Sequence, residues 1–202
     1  MTNEITQFQA AVVLGRGAYD MHTLRDRLRA ETRLTLEAAD RAIRGLDPMA
    51  ATDVTVLLAS HRDVFAAMAR SLPDDPLTDV IRDSVTAVQA DLAHGATDLT
   101  PQDVPPPNPD HAIAQRFVWQ AARMGTRMFA RRWQDSPLAQ HGLGATYLTS
   151  AQSPVPAAPF LESLEARDAL DPDAPAILRA TNGWFAQLED CVKAHARAAR
   201  KG

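Results

Sequence analysis

Over most of this 202-residue chain, apolar residues recur at three- and four-residue steps, a period that suits one face of an α-helix and not a pleated strand. Leu24, Leu28, Glu31, Thr32, Leu36, Ala39 and Ile43 follow it, with Arg25, Arg29, Arg33 and Glu37 on neighbouring faces. Gly45 and Pro48 close the run, so the spacing predicts one helix over 22–44. Thr52 or Asp53 suits the cap of a second, whose stripe of Val56, Leu57, Val64, Phe65 and Met68 stops at Pro73-Asp74-Asp75-Pro76. Asp75 suits the cap of a third, reaching about residue 94.

Residues 95–109 carry Thr100-Pro101 and Pro105-Pro106-Pro107, and repeated prolines remove donors and clash with the preceding turn. This stretch reads as a stiff connector over the bundle, within one domain of 1–202 whose core runs over about 20–199. Asp110 then caps an amphipathic helix through Trp133, and shorter helices follow near 138–150 and 157–169. A terminal helix over 173–199 turns Ile177, Leu178, Thr181, Phe185, Leu188 and Val192 inward. The run Ala10-Ala11-Val12-Val13-Leu14 before Gly15-Arg16-Gly17 has the look of a strand entering a phosphate loop, but the third glycine position falls at Asp20. A carboxylate there repels a pyrophosphate, and no later strand–helix alternation supplies a parallel sheet. A hairpin, turn or helical lead-in fits that run better.

A net charge of −4 speaks against nucleic acid as the main partner, because phosphate binding needs a basic footprint. One cysteine, Cys191, rules out an intramolecular disulfide and a cysteine-rich zinc site, and it reads as a small buried hydrophobe. No run approaches the roughly 18 apolar residues of a membrane span, and residues 1–9 are polar, so a cytoplasmic protein is expected. Ser60, His61 and Asp63 are close in sequence, yet neighbours on a helix diverge and make no triad. No Glu-x-x-His pair suggests a di-iron site, and Trp119, Trp133, Trp184, Met124 and Met128 read as core.

The stretch Leu28-Arg29-Ala30-Glu31-Thr32-Arg33-Leu34-Thr35-Leu36 resembles the first-helix pattern of heme oxygenases: Leu-Arg/Lys, two residues, Thr, three residues, His. Phe117-Val118-Trp119-Gln120-Ala121-Ala122-Arg123-Met124-Gly125-Thr126 is similar to the bacterial distal-helix pattern Tyr-Val-Leu-Glu-Gly-Ser-x-x-Gly-Gly. Ala180 to Leu188, with Phe185, looks like the last helix that walls the pocket. The resemblance implies an all-α, single-domain, heme oxygenase-like multi-helical bundle that opens heme oxidatively to biliverdin, iron and carbon monoxide, with an electron donor supplying the reductant.

What the resemblance implies for particular residues is a departure. Leu36 occupies the position of the proximal histidine and has no lone pair for iron. Of the distal glycines only Gly125 matches; Ala121 and Thr126 replace the others, where the family leaves room beside the iron. The implied cleft is Arg29, Thr32, Arg33, Leu36, Ala121, Ala122, Gly125, Thr126 and Phe185, with the two arginines as partners for heme propionates. No residue is assigned as catalytic and none as a metal ligand. The expectation is a diverged member with lost or altered heme chemistry. The alternative is a noncatalytic protein using the same cleft for a bilin, another apolar ligand or a protein segment.

Overall fold

The computed structural model describes residues 21–94, 99–152 and 157–201; the Ala10 to Leu14 run and the glycine turn after it lie outside these. The described residues form helices α1 (Leu24–Glu31), α2 (Arg33–Arg44), α3 (Ala51–Ser71), α4 (Leu77–Leu92), α5 (Ala112–Trp133), α6 (Pro137–Gln140), α7 (Ala145–Gln152), α8 (Ala158–Glu165) and α9 (Ala174–Ala199). Among them there is no strand, only an isolated antiparallel bridge between Thr23 and Asp168. None is long and apolar enough to cross a membrane.

The long helix α9 lies against α2, α3 and α5, while α3 pairs with α4 and α7 packs on both α4 and α5. Helix α1 is covered by α8, and α2 also touches α5. Helix α3 is enclosed on most faces: Val54, Val56, Leu57, Leu58, Val64, Phe65 and Met68 are all fully buried. Its hydroxyls are satisfied within the helix, Thr55 donating to the Ala51 carbonyl and Ser60 to that of Val56, so they enter the core without an unpaired donor.

The single helix expected over 22–44 is two helices. Thr32 separates them with φ −105° and ψ 1°, while its hydroxyl donates to the Leu28 carbonyl at 2.7 Å. A threonine that bonds back one turn competes with the regular ladder and bends it, which a count of apolar positions does not register. Continuity survives through Leu36 N–H to the Thr32 carbonyl at 3.0 Å, so the apolar stripe carries on past the bend.

The expected caps shift for similar reasons. Asp53 sits inside the first turn of α3 and accepts from the Asp47 N–H at 2.8 Å, fixing the loop rather than the helix end. His111, not Asp110, caps α5, its Nδ1 accepting from Ile113 N–H at 3.1 Å. Asp110 is free to gather Trp184 Nε1 at 2.7 Å, Ser71 at 2.6 Å and Gln115 at 2.7 Å, tying α9, α3 and α5 together. The segment expected near 138–150 is the pair α6 and α7, split by Gly142 and Gly144 at positive φ. Met128, read as core, is 42% exposed.

The proline-rich segment does lie over the bundle, as far as it is described. Leu99 and Val104 are buried, and the Pro107 ring rests on α9 at Gly183. A Cβ at Gly183 would stand 2.8 Å from Pro107 Cγ and 2.9 Å from its Cβ, and a proline ring cannot swing aside. At Gly125 the same added Cβ meets nothing within 4 Å. The two helical glycines should therefore respond oppositely to alanine. Gly125→Ala is expected to raise stability by up to about 1 kcal/mol through helix propensity. Gly183→Ala is expected to lose about 1–2 kcal/mol, because overpacking against the ring exceeds that gain. Urea denaturation of both variants checks the pair of signs.

Candidate functional site

Two groups of polar side chains enter the interior, and both begin on α3. Asp63 is buried and accepts from His195 Nε2 at 2.7 Å, Gln102 N–H at 2.8 Å and Arg62 Nε at 2.7 Å. Burial pushes its carboxyl up, but these donors outweigh that and hold it below the usual carboxylate value. Two residues earlier, His61 points elsewhere. Its Nδ1 is hydrogen-bonded to Tyr147 Oη at 2.9 Å, and its ring stacks on Phe65 with centroids 5.0 Å apart. The divergence of His61 and Asp63 is that of any two helix residues so spaced, and it leaves Ser60 with neither.

Tyr147 is placed by α4, where the buried Asp91 carboxylate accepts the Thr146 and Tyr147 N–H groups at 2.9 and 2.7 Å, capping the first turn of α7. Burial pushes the phenol up to about 12, and pushes the His61 imidazole down to about 3, with the Arg123 charge adding to the fall. Arg123 is itself nearly enclosed, donating to the Ser150 carbonyl at 2.8 Å with its guanidinium 5.3 Å from the Trp119 ring. His61 is neutral and Tyr147 protonated at physiological pH. Cys191 is buried, and burial first, then the Asp63 charge, pushes its thiol up to about 12, which suppresses nucleophilic use.

The implied cleft residues divide between two faces of α5. Thr126 is fully buried, donates to the Ala122 carbonyl at 2.8 Å and lies against Tyr147. Five residues apart on a helix, Ala121 and Thr126 point about 140° from each other. They do not crowd one space. Ala122 is buried with Thr126; Ala121 is buried too but on another face, the one it shares with half-buried Gly125 and exposed Met128.

On the facing elements, Thr32 is buried in the bend, and Leu36 is half-buried against the core on α2, the helix that touches α5. Thr35 donates to Asn182 Oδ1 at 2.5 Å, fastening α2 to α9. Phe185 is buried edge-on to Phe117, centroids 6.3 Å apart, joining α9 to α5. Arg33 is exposed and paired with Glu37 at 2.8 Å, and Arg29 is half-buried.

This residue set does not fit histidine-ligated heme. Leu36 offers iron nothing, and the histidines are engaged elsewhere: His61 by Tyr147, His195 by Asp63, His111 as a cap, and His94 and His141 by carbonyls of their own segments. His22 stands exposed ahead of α1. Among the described residues no cluster of histidine, cysteine and carboxylate side chains suits a metal ion.

Sequence reasoning passed over the rest of the α5 surface. Helix α5 holds five arginines and no acid, in a chain of net charge −4. Several cations on other helices meet a carboxylate three or four residues away, as in Arg27–Glu31, Arg33–Glu37, Arg82–Asp79 and Lys193–Glu189. Arg123, Arg127 and Arg131 instead follow one another at four-residue steps, a like-charge spacing that costs tenths of a kcal/mol per pair, roughly 0.2–0.5. Gln120 on the same helix is 7% exposed, and neither its Nε2 nor its Oε1 has a partner. Each unpaired buried atom costs on the order of 1–3 kcal/mol. A helix free of acids and a glutamine among core residues are both visible in the sequence; that they share a face with an open flank needed the fold.

Comparison with family models, with curated proteins and with solved structures finds no match for this chain.

His61 also fixes an acid response. Its pKa is about 3 in the fold against an ordinary 6.5, so the unfolded chain binds the proton first as pH falls. The stability it supports is complete above 6.5 and is lost progressively as pH drops toward 3. The slope is at most about 1.4 kcal/mol per pH unit for one proton. Urea titrations between pH 7 and 4 should show that decline in the parent and a shallower one in His61→Gln, which lacks the titrating ring.

Proposed function

We propose that this chain is a heme oxygenase-like binding protein, taking an apolar ligand of the tetrapyrrole class against the α2–α5 face without iron-dependent oxidation. The observation that carries the reading is Leu36. It stands half-buried on the helix that touches α5, at the position where the resembled pattern has its iron ligand, while the two buried histidines, His61 and His195, are held in other places. Axial ligation sets how a bound iron activates oxygen, so a leucine there removes the control but not the apolar surface. Space at Gly125 supports a ligand lying against α5: the glycine is half-buried and nothing stands within 4 Å of an added Cβ there. Binding without oxidation calls for no electron donor.

An absorption titration of the purified protein with hemin and with biliverdin tests this. A saturable 1:1 spectral change is expected, lacking the signature of histidine ligation, and reductant with oxygen should form no bilin from added hemin. Leu36→His should acquire a histidine-ligated Soret spectrum and bind hemin about tenfold more tightly, equivalent to about 1.4 kcal/mol. A parent that converts hemin to biliverdin, or that binds neither compound, overturns the reading.

A further inference from the structure

We infer that His111 is an acid-operated latch at the start of α5: its neutral ring caps the helix, and its protonated ring leaves the cap for the Asp173 carboxylate, releasing the first turn. The latch stands independently of the binding reading above. A helix is ordinarily capped by Ser, Thr, Asn or Asp, whose side-chain oxygen accepts a hydrogen bond at any physiological pH. At His111 the acceptor is instead Nδ1, which takes the Ile113 N–H at 3.1 Å. That bond requires the neutral ring with its proton on Nε2, because both nitrogens of an imidazolium are donors and neither can accept. A protonated ring held in the cap would also face the positive end of the helix dipole.

The surrounding charges supply a second position for the ring. Asp173 acts on it most strongly, followed by Arg167, Asp110 and Asp171, from the connector ahead of α5 and the segment between α8 and α9. Two of these carboxylates are already committed. Asp110 accepts from Trp184, Ser71, Gln115 and the His111 N–H, and Asp171 accepts from Arg167 Nε and the Asp173 N–H, both at 2.9 Å. Asp173 makes no side-chain cap on α9, is 63% exposed, and accepts among the described residues only from Arg167, at 3.4 Å. It is the carboxylate left to receive an imidazolium. Burial, aided by the Arg167 charge, outweighs the three carboxylates and holds the docked imidazole below its ordinary 6.5. A ring that swings out escapes that burial and keeps Asp173, so it takes the proton more readily than the docked ring does. The latch is therefore closed above pH 6.5 and opens as pH falls below it. The effect passes beyond one hydrogen bond. The Gln115 N–H bonds to the His111 carbonyl at 3.1 Å, and the Gln115 side chain donates to Asp110 and Ser71, so a frayed first turn loosens the knot that ties down the end of the connector.

The test is a pH titration by NMR with amide hydrogen exchange, from about pH 7.5 to about pH 5, on the parent, His111→Asn and Asp173→Asn. In the parent, His111 should titrate below 6.5. Protection of the Ile113 amide should fall with the same midpoint, by up to about tenfold per pH unit for one linked proton, while the Leu188 and Val192 amides of α9 keep theirs. Asparagine caps at every pH, so His111→Asn should abolish the pH dependence at Ile113, and Asp173→Asn should move the His111 midpoint down. An Ile113 amide indifferent to the titration of His111, the same fall in His111→Asn, or a His111 midpoint unmoved by Asp173→Asn overturns the inference. So does simultaneous loss of protection at Ile113 and Val192, which marks global unfolding instead of a local latch.

Discussion

One buried carboxylate, that of Asp63, sets the arrangement on which the remaining contacts depend. It joins α3 to α9 through His195, and through the Gln102 N–H it draws in the proline-rich segment. Arg62 completes the set and reaches on to the Leu99 carbonyl at 3.1 Å. Removing one member of such a cluster leaves the others buried without a partner, which costs far more than the cluster's net contribution to stability. Asp110 repeats the device at the opposite end of the connector, so the segment between the two is held by charge at its ends and by apolar contact between. Pro107 can settle on α9 only because residue 183 lacks a side chain.

With α3 and α9 so joined, α5 is left with two unlike sides. The side carrying Trp119, Arg123 and Thr126 meets α7 and the His61–Tyr147 pair, where burial keeps imidazole and phenol neutral. Away from it, Met124, Gly125 and Arg127 are only half-buried, Met124 and Arg127 on one flank and Gly125 on another. The same residue type takes two environments four positions apart: Arg123 is enclosed and spends a donor on a carbonyl, whereas Arg127 is half-buried and no carboxylate pairs with it among the described residues. An arginine enclosed in this way supports packing, whereas like charges at four-residue spacing cost roughly 0.2–0.5 kcal/mol per pair.

Much of the fold was legible because helices announce themselves locally. The three- and four-residue stripes located α3, α4, α5 and α9 to within a few residues, and the prolines marked where no helix runs. The bend at Thr32 was hidden, because it depends on where one hydroxyl hydrogen-bonds and not on the apolar pattern. The cap of α5 was placed one residue early for a related reason: Asp110 is a good cap in isolation, but three side chains from other parts of the fold compete for its oxygens.

By itself the sequence determined that the chain is helical, where its four longest helices lie, and that position 36 carries no ligand for iron. These follow from short-range spacing and from the chemistry of single side chains. Only the tertiary structure decided which polar groups meet. It sent His61 to Tyr147 and Asp63 to His195, turned Thr126 away from Ala121, and left Gln120 enclosed without a hydrogen-bond partner among the described residues. Such pairings join residues far apart in sequence, 132 positions for His195 and Asp63, and depend on how helices pack rather than on any local pattern.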